Sequence, residues 1–127
     1  MAVVDYIIDG HVATITINRP KSRNAINSEV AVRLTDAWRD IRDNNNIRVA
    51  ILTGMGSVFC AGADLGQLIP LIAGNRGAEN EWDEKFLADK TIIESALLRE
   101  FDTEKPVIAA INGHAIAGGM EIVQGTD

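Results

Sequence analysis

The sequence predicts an α/β chain of mainly parallel strands joined by helical crossovers, and three observations carry that reading. It opens on an alternating β-rich run. It later shows two short continuous apolar runs bounded by turn residues, of the kind buried on both faces of a parallel sheet. Between and after these lie segments with apolar residues at helical spacing.

Taken in order, Tyr6 to Ile17 alternates around Asp9-Gly10, a type I′ hairpin signal, and is read as a β-hairpin. Asn18 to Asn24 is a basic loop in which Pro20 ends strand pairing. Val30, Leu34, Ala37, Trp38 and Ile41 then mark an amphipathic helix, with Ser28 as its N-cap and Asn44-Asn45-Asn46 as its stop. The run 48–53 is a buried strand closed by Gly54. From Gly54 to Gly77 the chain is glycine-rich, Pro70 would break a helix starting near Asp64, and 75–81 reads as a mobile surface loop. A helix is expected over roughly 82–100, with Trp82, Phe86, Ile93, Leu97 and Phe101 on its apolar face. Lys105-Pro106 leads into a second buried strand, 107–111, and a new helix opens after Gly118-Gly119. Neither an internal repeat nor a linker divides the chain, so 1–127 reads as a single domain.

With 127 residues, 46% hydrophobic and 24% charged, the chain can build one core. A net charge of −6 with scattered basic residues argues against nucleic acid, which needs a basic stripe. An acid by the fifth residue and the lack of a basic n-region argue against a signal peptide. No apolar run approaches the roughly 18 residues of a membrane span, so a cytoplasmic location is expected. Cys60 is the one cysteine and is assigned to packing. His11 and His114 are far apart, so no metal site is expected.

Two segments stand out. Phe59-Cys60-Ala61-Gly62-Ala63-Asp64-Leu65 and Asn112-Gly113-His114-Ala115-Ile116-Ala117-Gly118-Gly119-Met120-Glu121 each follow a strand-like run. Each offers small residues where a backbone N–H can approach a ligand without side-chain obstruction. Taken singly, such glycines serve tight turns. The pair, in this order, resembles the enoyl-CoA hydratase/isomerase (crotonase) family. The similarity extends to Ile17-Asn18-Arg19-Pro20-Lys21-Ser22-Arg23-Asn24-Ala25-Ile26 and to Lys105-Pro106-Val107-Ile108-Ala109-Ala110-Ile111-Asn112-Gly113, and so covers nearly the whole chain.

The resemblance implies a crotonase-like spiral of β-β-α units. It also implies an acyl-CoA substrate, a 2-trans-enoyl-CoA that is hydrated, in fatty-acid β-oxidation chemistry. Coenzyme A is then part of the substrate, and no separate cofactor is implied. By the same resemblance the N–H groups of Ala63 and Gly118 form the oxyanion hole. Glu121, three residues after Gly118, is the proton-transfer group, provided partial burial raises its pKa. Lys21, Ser22, Arg23, Ala61, Ala63, Asp64, Leu65, Gly66 and Gly118 bind substrate. Full-length relatives are roughly double this length and assemble as trimers or hexamers. In them a second catalytic glutamate and a C-terminal helical region lie past the position of Asp127, so a truncated N-terminal half is expected. Isomerase or other enolate chemistry is the near variant. A non-catalytic remnant that binds CoA or acts as an association module is the alternative.

Overall fold

A computed structural model describes residues 2–127. Its main sheet has the order β1-β2-β3-β5, built from β1 (Val4–Asp9), β2 (Val12–Ile17), β3 (Val49–Gly54) and β5 (Val107–Ala110). β1 and β2 are antiparallel, and β2–β3 and β3–β5 are parallel. Alternation decides the faces: Ala13, Ile15 and Ile17 of β2 and Ala50 and Leu52 of β3 are fully buried under α1 (Ser28–Asp43). From α1, Val30, Leu34 and Ile41 are fully buried in the same core, and so is Trp38, at the spacing read from the sequence. On its other side α1 meets α3 (Glu81–Ala88) and α4 (Ile92–Ala96), where Trp38 Nε1 donates to Ala96 O at 3.1 Å and Thr35 Oγ1 to Ile92 O at 3.0 Å. Lys105 Nζ donates to the carbonyls of Ile41 and Asn44 at the α1 C-terminus, satisfying orphan acceptors and the helix dipole together. No helix among the described residues is long and apolar enough to cross a membrane.

Several local expectations are corrected. The hairpin's two-residue loop is Gly10-His11, since Asp9 pairs with Val12. Of those two residues only Gly10 has a positive φ, +59°, which fits a type II′ pattern rather than I′. The α1 N-cap is Asn27, whose side chain accepts from Val30 N; Ser28 lies inside the helix. The helix expected over 82–100 is broken in two, because Asp89 accepts from both the backbone N–H and the hydroxyl of Thr91 and closes a local turn between α3 and α4. Pro70 does not prevent a helix. α2 (Leu68–Ala73) begins two residues before it, so the proline sits in the first turn, where its missing N–H costs nothing.

Ser28 has a different task from the capping expected of it. Its Oγ donates to Asp83 Oδ1 at 2.6 Å, and Asp83 Oδ2 accepts from Arg76 Nη1 at 2.7 Å, with the Asp83 side chain 1% exposed. The Arg76 guanidinium, helped by Ser28 and the Glu79 N–H, holds the Asp83 carboxyl at about 2, below its ordinary 3.8. A lowered folded-state pKa contributes stability above the unfolded value that disappears as the pH falls through the folded one. The size here is about 2 kcal/mol. Asp83→Asn should therefore destabilise the chain near neutral pH and flatten the acid limb. Urea titrations between about pH 5 and pH 2 should show the parent losing stability more steeply than the variant. Parallel slopes would contradict this role.

Candidate functional site

The segment 19–26 and the segment 60–64 are held together by backbone hydrogen bonds. Ala61 N donates to Arg23 O (3.0 Å), Ile26 N to Gly62 O (2.8 Å), and Asp64 N to Ile26 O (2.8 Å). Asn24, fully buried with φ +56°, locks the first segment from inside. Its Oδ1 accepts from Arg19 N, while its Nδ2 donates to Met55 O and Val58 O at 3.0 and 2.7 Å. Ile26 and Ala63 are partners in a parallel bridge. Because backbone groups alternate along an extended chain, Gly62 O and Asp64 N face Ile26 and the N–H of Ala63 points the other way.

On that other side lies the second motif. β4 (Val58–Cys60) pairs in parallel with β6 (His114–Ala115), a two-stranded sheet absent from the sequence reading, and Ile116 N donates to Cys60 O at 3.0 Å. The contact is backbone on backbone. A Cβ on Gly119 would lie 2.1 Å from Cys60 O. One on Gly62, whose φ is +96°, would lie 2.9 Å from Ile116 O and 3.1 Å from Gly118 N. A Cβ on Gly118 would stand 3.7 Å from Ala63 N. Gly118 is the first residue of α5 (Gly118–Gln124), so its N–H has no partner within the helix. Among the described residues, neither the Ala63 nor the Gly118 N–H donates to any acceptor.

The turn into α5 is strained. Gly119 N donates to Ile116 O at 2.9 Å around Ala117, whose φ of 50° and ψ of −118° are the first-position values of a type II′ turn, which glycine normally occupies. Such a conformation costs an L-residue on the order of 1–3 kcal/mol. Opposing it is the first hydrogen bond of α5, from Glu121 N to Ala117 O at 2.9 Å, with a net worth of about 1 kcal/mol.

Two clefts contain the remaining candidate residues, and they share no lining residue. One, of about 430 Å³, is lined by Lys21, Ser22, Arg23, Ala25, Ala61, Ala63, Asp64, Leu65 and Gly66. It gathers every residue read as substrate-binding except Gly118, which is buried against Gly62 and Ala63. The other, of about 600 Å³, is lined by Leu98, Arg99, Glu100, Glu121, Gln124 and Gly125. There Glu121 is half-buried, with Oε2 3.6 Å from Arg99 Nη1. Burial pushes the Asp64 carboxyl up, but the Gln67 and Gly66 N–H groups and Arg19, at 3.1 Å, outweigh it and hold the group ionised. Both Asp64 oxygens are thus occupied in ordering the loop. Burial likewise pushes the fully buried Cys60 thiol up, consistent with packing.

The sequence reading missed Asn24, Arg19, Ala117 and Arg99. The Arg19-to-Asn24 spacing and an alanine where a turn prefers glycine were visible signals; Arg99 had none.

The enoyl-CoA hydratase/isomerase family model matches residues 8–127. The chain belongs to the enoyl-CoA hydratase/isomerase family. It is 39% identical to an enoyl-CoA hydratase of Mycobacterium tuberculosis over 93% of its own length and 42% of that protein's. To the (E)-benzylidenesuccinyl-CoA hydratase of Thauera aromatica it is 36% identical, over 94% of this chain and 43% of the relative. Among solved structures, an enoyl-CoA hydratase from Mycobacterium marinum superposes with a TM-score of 0.77 at 32% identity, over all of this chain and 44% of the other. A carnitinyl-CoA dehydratase from Mycobacterium avium gives 0.74 at 34%, with the same coverage. The chain therefore spans less than half the length of these family members, and its fold is the corresponding part of the crotonase fold.

The backbone contact distinguishes two adjacent glycines. Gly119→Ala forces a methyl into Cys60 O and should cost at least about 3 kcal/mol, because backbone cannot yield as a side chain does. Gly118→Ala, whose nearest neighbour would be Gly62 Cα at 3.5 Å, should change stability by less than about 1 kcal/mol. Denaturant melts of the two variants compare them directly; equal losses would contradict the contact.

Proposed function

We propose that this chain carries the thioester-binding part of an acyl-CoA site, with the N–H groups of Ala63 and Gly118 as an oxyanion hole and Glu121 as the acid/base for hydration of a 2-trans-enoyl-CoA. The observation that carries the reading is the pair of unpartnered backbone donors, brought side by side from segments more than fifty residues apart. Gly118 is buried and Ala63 lines a cleft, so donors that the protein itself leaves unpaired there are available to a ligand. A thioester oxygen suits both, since it gains negative charge when a nucleophile adds at Cβ.

In that reaction the water oxygen bonds to Cβ and its proton passes to Glu121. The Cα=Cβ electron pair moves towards the carbonyl, and the resulting enolate oxygen rests between the two N–H groups. Uptake of a proton at Cα, from Glu121 or a second acid, returns the thioester. Glu121 lies three residues beyond Gly118 in α5, a spacing that supports its carboxylate sharing the donor's side of the helix. Isomerisation would use the same hole with proton removal and return on carbon. The reading places the CoA end along the cleft containing Lys21, Ser22, Arg23, Ala61, Asp64, Leu65 and Gly66. Of the loop's cations, Arg19 is neutralised by Asp64, whereas Lys21 and Arg23 form no ion pair among the described residues and remain for phosphate. Leu65, 82% exposed at the rim, supplies apolar surface for a pantetheine arm.

Two measurements test this. Gly118→Pro removes the N–H and fills its space, so its affinity for acetoacetyl-CoA should fall at least about tenfold further than that of Gly118→Ala, which keeps the donor. Equal affinities would remove Gly118 from the hole. Glu121→Gln should lower kcat for crotonyl-CoA hydration by about a hundredfold with KM changed by no more than a few-fold. An unchanged kcat would leave Glu121 as a helix-dipole residue.

A further inference from the structure

We infer that Ala117 is the positioning residue of the oxyanion donor, setting how much of the time the Gly118 N–H faces the thioester. The inference rests on the assignment of that N–H to the hole. The 117–118 peptide is the central peptide of the turn closed by Gly119 N and Ile116 O, and its orientation is fixed by the two dihedrals that flank it. At Ala117 those of a type II′ turn, φ 50° and ψ −118°, place the N–H outward from the turn and strain an L-residue.

Rotating the central peptide relieves the strain. It carries Ala117 into the left-handed helical region, which an L-residue occupies at lower cost, and Gly118, lacking a Cβ, accommodates the change on its side. The same rotation withdraws the Gly118 N–H and puts the Ala117 carbonyl in its place. What resists it is the Glu121 N–H bond to Ala117 O, which holds the peptide in the donor-out orientation and ties the hole to the residue assigned to proton transfer. Strain and hydrogen bond oppose each other and are of similar size, so both orientations are populated. A bound thioester oxygen interacts with only one of them and selects it. The apparent affinity is reduced by the fraction that is already competent. The Ala117 side chain is exposed, so its role is through the backbone rather than through packing.

The test uses the 127-residue chain and dimethylaminocinnamoyl-CoA, a thioester whose absorption moves to longer wavelength as its carbonyl is polarised. Ala117→Gly removes the penalty on the donor-out orientation and should bind about 3- to 10-fold tighter than the parent. Its red shift at saturation should be at least as large. Ala117→Val, with a β-branched side chain, should weaken binding by a similar factor. Thermal melts accompany the titrations. If Ala117→Gly is more stable yet binds and shifts the probe as the parent does, while Gly118→Pro abolishes the shift, the donor assignment stands and the positioning role of Ala117 is wrong. If Gly118→Pro retains the full shift, the donor assignment and this inference fall together.

Discussion

The candidate site depends on one contact, in which the backbone at Cys60–Ala63 lies directly against the backbone at Ile116–Gly119. Side chains would keep two such segments several ångströms further apart. Glycines 62 and 119 permit the approach, since a Cβ at either would meet a backbone atom of the opposite segment at 2.9 Å or less. The parallel pairing of β4 with β6 sets the register, and the bridge between Ile26 and Ala63 turns the Ala63 N–H towards α5. With these in place, the Glu121 N–H bond to Ala117 O holds the 117–118 peptide so that the Gly118 N–H lies on the Ala63 side.

The remaining parts act by holding this contact in position. Asn24 joins the basic loop to the β3–β4 corner through two hydrogen bonds and closes the loop on itself through a third from Arg19 N, and the Arg19–Asp64 ion pair joins the start of that loop to the residue after Ala63. With both partners largely buried, the pair orders the loop while leaving little net charge beside the two N–H groups. In the function proposed for a chain of net charge −6, backbone dipoles, rather than a surplus of basic side chains, stabilise the anion.

Much of this was legible in the sequence, and the reason is periodicity. The apolar spacing of α1 reports burial directly, and the continuous runs locate β3 and β5 as strands; the expected burial on both faces is not found, since only alternate residues of β3 are buried and Ile108 of β5 is exposed. Lys21, Ser22 and Arg23 could be assigned to one surface with Ala61, Ala63, Asp64, Leu65 and Gly66 because their motifs resemble a known family; composition alone would not have joined segments so far apart. What remained hidden depended on a single side chain's choice of partner. Asp89 ends a helix whose apolar spacing continues past it, and Ser28, a good cap by type, is recruited by Asp83 instead. The short β4 and β6 strands carry too few residues for alternation to show. The alanine ahead of Gly118-Gly119 was visible as a residue type, but the glycine-like conformation of Ala117 is imposed by the contact between segments distant along the chain.

In the proposed function a thioester oxygen occupies the space between the two free N–H groups. A crystal structure of the chain with acetoacetyl-CoA bound is the decisive measurement. The thioester oxygen is expected within about 2.7–3.1 Å of both Ala63 N and Gly118 N. An acyl-CoA bound elsewhere, or a thioester oxygen that meets only solvent while both N–H groups remain without a partner, would contradict it.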